Sequence, residues 1–459
     1  MSQQLKGSMT SGNPAKALIA FTVPMVCGNL FQQLYNIVDS IIVGKFVGED
    51  ALAAVGASTA ITMLFVMVAN GTGIGCSIII SNLFGAQDIR RMKSAISTAL
   101  WSILAVSAVM SLLGLGINQW IMHLIGTPKN IFDDAAAYMR IYFMGFVFLF
   151  LYNAFSAIFN ALGDSKKPLL FLFFSSVLNI ALDLLTVVHF GMGVRGVAWA
   201  TLIAQASSAV LSFFFLLRKL RHMPCEPFAR FDRALLKRMV IVAIPTVLQQ
   251  SIVSVGMLLV QSVVNRFGSS FLAGYTAAIK LDSIAIVPMV AVGNAASTYV
   301  AQNLGAGRLD RIKHGYRICL AMAVGIALFI AVLMQLAGGT MIRWFLDKDS
   351  SARAIEVGTS YLRIVSGFYF VMGTMNVSCG ILRGAADMKW FLAGSLVNLT
   401  VRVVLSYVLA DVTSGYVIMW ANPVGWGICL LIVVARYFQG GWKKKYLPSS
   451  EYAGAAGTA

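Results

Sequence analysis

RKLRHMPCEPFARFDRALLKR, residues 218–238, is the longest basic interruption in a chain that is otherwise largely apolar. The segments on its two sides resemble each other at an offset of about 220 residues. FTVPM around Pro24 matches VAIPT around Pro245, and FGAQDIRRMK at 84–93 matches LGAGRLDRIK at 304–313. YMRIYFMGF at 138–146 matches YLRIVSGF at 361–368 with one gap, and VLNIALD at 177–183 matches LVNLTVR at 396–402. Four matches in one order at a nearly constant offset imply an internal duplication with the basic stretch as its seam. We therefore expect an amino-terminal lobe over 1–217, a linker over 218–238, a carboxy-terminal lobe over 239–440 and a tail over 441–459.

Each half is built to cross a bilayer. Of 459 residues, 58% are hydrophobic and 12% charged, and mean hydropathy is +0.80; soluble domains carry about 25% charged residues. Apolar runs of the roughly 20 residues a spanning helix needs recur at 15–43, 51–81, 95–121, 135–162, 168–190, 195–217, 239–266, 271–300, 315–345, 357–382, 389–410 and 414–437. The expected fold is an all-α polytopic membrane protein, with twelve transmembrane helices in two pseudo-symmetric six-helix lobes. A six-span repeat returns to its starting side, so its second copy enters in the same orientation. Transporters of this construction hold substrate and ion near mid-membrane and work by alternating access. The first apolar run is a full span with no small-residue cleavage site behind it, so no cleaved signal peptide is expected. Asn13-Pro14 reads as an N-cap followed by proline at the first helical position.

The formal charge of +17 does not indicate a nucleic-acid partner, because Lys and Arg alternate between rich and poor loops. Twenty-four lie on one side and seven on the other, with Arg140, Lys280, Arg363 and Arg402 in or near spans. The positive-inside rule places both termini in the cytoplasm of a multi-pass plasma (inner) membrane protein. Six cysteines and four histidines show no metal-ligand or disulfide spacing. No structural metal is expected, and no cofactor beyond H⁺ or Na⁺ as a coupling ion.

Three of the eighteen acidic residues fall inside spans: Asp39, Asp183 and Asp282. A carboxylate at the centre of a membrane helix costs about 2.5–3.5 kcal/mol on insertion scales, so it needs a partner, a proton or a cation. In span 1, NLFQQLYNIVDSIIVGKF, the side chains Gln32, Asn36 and Asp39 are spaced i, i+4, i+7 and share a face. Span 5 carries Asn179 and Asp183 at i, i+4; span 6 carries Thr201 and Gln205 at the same spacing. Carboxylates, amide oxygens and a hydroxyl suit a small hard cation. Two carboxylates brought close in low dielectric do not both stay ionised, so the pair could hold a proton instead. The same side chains could also serve as interhelical hydrogen-bonding contacts. Under the duplication, Asn179 and Asp183 correspond to Asn398 and Arg402, and Asp39 falls opposite Val260. The acid pair belongs to the first half.

Other polar positions are candidates for supporting this site or lining a substrate cavity: Asn153, Gln250, Lys280, Asp282 and Arg402. Lys280 and Asp282 are i, i+2 and do not face each other on a helix; a pairing of Arg402 with Asp282 is the expectation for buried charges. Pro24 lies inside span 1 and is a candidate hinge or static kink. The glycines of NGTGIGC at 70–76 lack the Lys-Ser/Thr of a phosphate loop and read as close helix packing. The 22 Met and 29 Phe read as core or lipid-facing residues, some of them suited to an adaptable apolar cavity.

The stretches PMVCGNLFQQLYNIVDSIIVGKFVGEDALAAVG, GNAASTYVAQNLGAG and CGILRGAADMKW resemble the landmarks of the multidrug and toxic compound extrusion (MATE) family, in the multidrug/oligosaccharidyl-lipid/polysaccharide flippase superfamily. The resemblance covers essentially the whole chain. It implies export of amphipathic, often cationic, organic compounds in exchange for H⁺ or Na⁺. It also implies a cation site in the first lobe formed by Asp39, Asn179, Asp183 and Thr201. Other branches carry acids in helices 7 and 10, where this chain has Gln249 and Gln250 and no central acid, so a second-lobe Na⁺ site of that kind is not expected.

Two function classes compete on these residues. A cation-coupled antiporter, acting as a monomer on small organic substrates, needs Asp39 and Asp183. A flippase for lipid-linked saccharide or peptidoglycan precursors would need several cavity cations for a diphosphate, and only Lys280 and Arg402 are available. An intramembrane enzyme is not expected, since no Ser-His or His-Glu pattern lies in the spans.

Overall fold

In the computed structural model, residues 9–346, 351–413 and 415–445 are described. The charged positions Lys6 and Lys348 and the tail beyond Lys445 lie outside them. The regular structure of the described residues is helical, with no strand among them. The helices are α1 (Pro14–Phe46), α2 (Glu49–Gly85), α3 (Ile89–Leu124), α4 (Phe132–Ala161), α5 (Lys166–Asp183), α6 (Gly193–Arg221) and α7 (Arg233–Val264). They continue with α8 (Ser269–Gly305), α9 (Leu309–Phe345), α10 (Ala352–Ser366), α11 (Tyr369–Gly384), α12 (Met388–Leu409) and α13 (Val417–Gln439). Eleven are long and apolar enough to span a membrane, and α10 with α11 makes the twelfth as a pair bent by 52°. The bend falls at Ser366-Gly367, a Ser/Gly pair of the kind that loosens the helical ladder.

The described chain forms two compact units. One contains Cys27–Val247; the other contains the described residues of 9–26 and 248–445. The crossings lie inside α1 and α7, each two residues beyond a proline, Pro24 and Pro245. The basic linker accordingly stays with the first unit and does not itself mark the boundary. Its backbone is tied to α3: Ser94 and Ser97 donate to the carbonyls of Ala229 and Arg230 at 2.8 and 2.6 Å, and Arg90 Nε donates to Pro227 at 3.0 Å. In the second unit, the segment leading into α1 is tied the same way to the α8–α9 turn. Arg311 donates to the carbonyls of Met9, Ser11 and Gly12 at 3.2, 3.1 and 2.9 Å, and Gln302 Oε1 accepts from Met9 N at 2.9 Å.

The duplication is repeated in the turns. Matched helices of the two halves, α2 with α8 and α4 with α11, end in a six-residue loop whose last N–H reaches back five positions: Asp88 to Leu83, Arg308 to Asn303, Asp164 to Phe159 and Asp387 to Leu382, at 2.8–3.1 Å. Each loop needs one left-handed residue, supplied by Gln87, Gly163, Gly307 and Ala386. Glycines also carry close helix packing: a Cβ on Gly71 or Gly75 would strike the α7 backbone at Val247 or Ala243, the role expected for the 70–76 stretch.

Each unit has its own core. In the first, Phe143 and Phe146 pack on Phe65 with centroids 5.5 and 4.6 Å apart. In the second, Tyr275, Tyr361, Tyr369, Met289 and Met419 are buried together. Tyrosines in such a core need a partner for the hydroxyl, and in this unit the partner is an acid.

Candidate functional site

Asp39 is carried by α1 and Asp183 is the last residue of α5. Their carboxyl groups lie within hydrogen-bonding reach of each other. One oxygen of each, Oδ1, is buried without a protein partner. Asp183 and Asn179 are fully buried, at 0% and 1% exposure. With its amide turned to suit its neighbours, Asn179 donates to Asp183 Oδ2 at 2.9 Å and to the Tyr35 hydroxyl at 3.1 Å, and accepts from Thr201 N at 3.3 Å. The Thr201 hydroxyl stands 3.4 Å from that amide and also bonds Tyr35. Tyr138 of α4 faces both acids. The i, i+4 spacing in α5 and the single turn of α6 thus deliver side chains from four helices to one point.

This donor set fits the expected ion. Two neighbouring carboxylates in a buried site repel unless something positive lies between them, and each keeps one unpartnered oxygen aimed into protein. A proton shared by the pair, or a small cation held by carboxylate, amide and hydroxyl oxygens, satisfies both. Beyond Asp183 the helix widens into a π-helical turn, Leu184–His189, a feature common at functional sites because it shifts side-chain register. Gly196 leaves room for that turn at Thr186.

Four of the expected residues, Asp39, Asn179, Asp183 and Thr201, come together. Gln205, one turn beyond Thr201, bonds Tyr142 instead. Gln32 donates to Asn36 at 3.2 Å, so that end of the α1 stripe is satisfied within itself. Asn153 donates to the Leu149 carbonyl at 2.8 Å, an ordinary turn of its own helix. Gln250 is half-buried, its backbone carbonyl accepting from Ser254 at 3.2 Å. Pro24 sits inside a continuous α1. Tyr35 and Tyr138 were not among the expected residues. Tyr35 lies four positions before Asp39, so extending the polar face to tyrosine hydroxyls finds it; Tyr138 carries no such signal.

Asp282 occupies a second buried network, in the other unit. Tyr369 donates to its Oδ1 at 2.7 Å and Tyr361 to its Oδ2 at 3.4 Å, while Asn422 donates to the Tyr361 hydroxyl at 3.1 Å. Arg402 forms no direct ion pair with Asp282 among the described residues, contrary to expectation. Its guanidinium bonds the Tyr275 hydroxyl and acts on Asp282 through space, because the tyrosines occupy the carboxylate. Lys280 is exposed and turned away, beside Ser269, Thr276 and Phe345.

The MatE family model matches this chain twice, over residues 24–185 and 245–408. The two matches begin at Pro24 and Pro245, the prolines that align the halves. The chain is 30% identical over 443 residues to "Probable multidrug resistance protein YpnP" of Bacillus subtilis, covering 95% of this chain and 97% of that one. It is 28% identical to "Probable multidrug resistance protein YoeA" of the same organism, over 94% and 95%. The fold superposes with TM-score 0.89 on a structure described as the outward-facing conformation of a multidrug resistance MATE family transporter of the MOP superfamily. That match is at 23% identity and covers 97% of this chain and 100% of that chain.

Proposed function

The chain belongs to the MatE family of membrane transporters, and from that premise we propose that it is a cation-coupled antiporter exporting small, amphipathic, often cationic organic compounds by alternating access. The relatives named as multidrug resistance proteins support drug-like cargo. In this reading the Asp39–Asp183 pair takes up H⁺ or Na⁺ from outside and releases it inside. Asn179, Thr201 and Tyr35 orient the carboxyl groups so that binding and release change the packing of α1 against α5 and α6. The protein works as a monomer in the plasma (inner) membrane, with the basic loops and both termini in the cytoplasm, as their Lys and Arg excess supports.

One observation carries the reading: a fully buried carboxyl group and a half-buried one, from different helices, meet with a buried, unpartnered oxygen on each. A pair kept only for packing would have its acceptors satisfied. Purified protein in liposomes, with pH and Na⁺ gradients imposed separately, tests it. Efflux of a fluorescent organic cation should follow one gradient and vanish in Asp39→Asn and Asp183→Asn, with the variants still folded. Undiminished efflux from both variants would remove the coupling role.

A further inference from the structure

The duplication sets Arg402 where the first half has Asp183 and sets Tyr361 where it has Tyr138. In the first unit, Tyr138 stands beside two acids. In the second, Tyr361 stands beside one acid, Asp282, with Arg402 held close by Tyr275. The Tyr275 and Tyr361 rings pack edge to face, with centroids 5.4 Å apart at 85°. The groups thus pack in a row: the guanidinium on the Tyr275 hydroxyl, the Tyr275 ring against the Tyr361 ring, and the Tyr361 and Tyr369 hydroxyls on the carboxylate. The break between α10 and α11 is part of the assembly, since Tyr361 precedes it and Tyr369 is the first residue after it.

Groups from five helices act on Asp282 or on its partners. Tyr275 comes from its own helix, Tyr361 from α10, Tyr369 from α11 and Arg402 from α12, while α13 adds the neutral amide of Asn422. One negative and one positive charge share a buried site, and both carboxylate oxygens have donors. The Asp39–Asp183 site has two carboxyl groups, no cation acting on them among the described residues, and two unpartnered oxygens.

We infer that Arg402 is a tethered counter-cation for Asp282, so that the second unit carries a buried acid, at a position equivalent to neither acid of the first unit, that is permanently charge-compensated and takes no exchangeable ion. This rests on reading Asp39 and Asp183 as the exchange site, which then sets the ion stoichiometry alone. Arg402 is a positioning residue: it acts through Tyr275 and through its field, not by touching cargo. Replacing it with a neutral side chain leaves a buried carboxylate that must recruit a proton or a small cation from solution.

The test reads ion binding directly, so its result is separate from whether Asp39 and Asp183 drive efflux. Purified Asp39→Asn/Asp183→Asn protein, with the first site removed, is melted in detergent across a Na⁺ series and a pH series. A cation that binds only the folded state raises the melting temperature with its concentration. With Arg402 present, the Na⁺ series should be flat and the pH series unaffected by adding Asp282→Asn. Adding Arg402→Gln should bring a rise of several degrees with Na⁺ or on acidification, and adding Asp282→Asn to that variant should abolish it. Arg402→Lys, which keeps the charge, should match the background. A cation-dependent rise that needs Asp282 while Arg402 is intact overturns the inference, and that arm does not depend on Arg402→Gln folding. An Arg402→Gln protein that folds and shows no cation dependence overturns it equally.

Discussion

Tyr35 and Asp39 sit one turn apart on α1, and the Tyr35 hydroxyl is bonded by both Asn179 and Thr201 while Asp39 faces Asp183. One helical turn therefore makes contact with α5 and α6 through two different chemistries. In the proposed cycle the hydroxyl bonds would hold α1 in place whether or not an ion is bound, and the carboxyl contact would depend on the ion.

Tyr35→Phe separates these roles. It removes a hydroxyl from the Asn179–Thr201 network and leaves both acids, at a cost of about 1–1.5 kcal/mol for a hydrogen bond in a buried network. The expected outcome is roughly a tenfold weaker apparent affinity for the coupling cation, with maximal efflux largely kept. Efflux rates at graded ion concentration in liposomes check this; an unchanged affinity would show that Tyr35 is only a packing residue.

The α1, α5 and α6 contributions were legible because helix periodicity alone places Asp39, Asn179, Asp183 and Thr201 on faces that polar side chains must turn inward. The duplication was legible for a similar reason, since equal turns need equal residues: Gly85 and Gly305 close α2 and α8 in the same way. Tyr138 was not, because a tyrosine reads as core or interface equally well until its neighbours are known. Nor was the position of Tyr369: it depends on a 52° bend at Ser366-Gly367 that a continuous apolar run over 357–382 conceals. The seam of the duplication and the division of contacts are different things. A basic linker marks where the sequence repeats, whereas the packing of α1 and α7 decides where contacts divide.

Arg311 fastens the segment before α1 through three hydrogen bonds to its backbone carbonyls, while a fourth, to Asn303 Oδ1 of α8 at 3.2 Å, fixes the guanidinium. Its planar fork suits acceptors in different directions, which a lysine cannot reproduce. Arg311→Ala and Arg311→Lys should both free residues 9–12, at a cost of about 2–4 kcal/mol to local order given the strength of charged hydrogen bonds. Hydrogen–deuterium exchange should rise at Thr10–Gly12 in both variants and stay unchanged in the 227–232 linker segment.

Ala386 holds a left-handed conformation, φ 49°, in the loop where the first half has Gly163. A Cβ there costs about 1–2 kcal/mol, part of which is recovered because glycine loses more freedom on folding. Ala386→Gly should therefore stabilise the protein by about 0.5–1 kcal/mol, seen as a higher melting temperature with efflux unchanged. A lower melting temperature would mean that the buried methyl contributes more than the strain costs.

The same loops each carry an ion pair to the last turns of a later helix, and the two pairs differ in burial. Lys219 Nζ lies 3.1 Å from Asp164 Oδ2 with both side chains partly exposed, at 19% and 27%. Arg436 Nε lies 2.6 Å from Asp387 Oδ2, with Asp387 at 1%. Removing one partner of an exposed pair costs up to about 1 kcal/mol. Removing one partner of a buried pair strands the other charge and costs about 3 kcal/mol or more. Asp164→Ala and Asp387→Ala are thus matched substitutions at equivalent positions with unequal expected outcomes, the second lowering the melting temperature severalfold more. Part of the Asp387→Ala loss should return in Asp387→Ala/Arg436→Met, which no longer leaves a guanidinium without its acid beside Trp390. Equal losses from the two single substitutions would mean that burial does not distinguish these pairs.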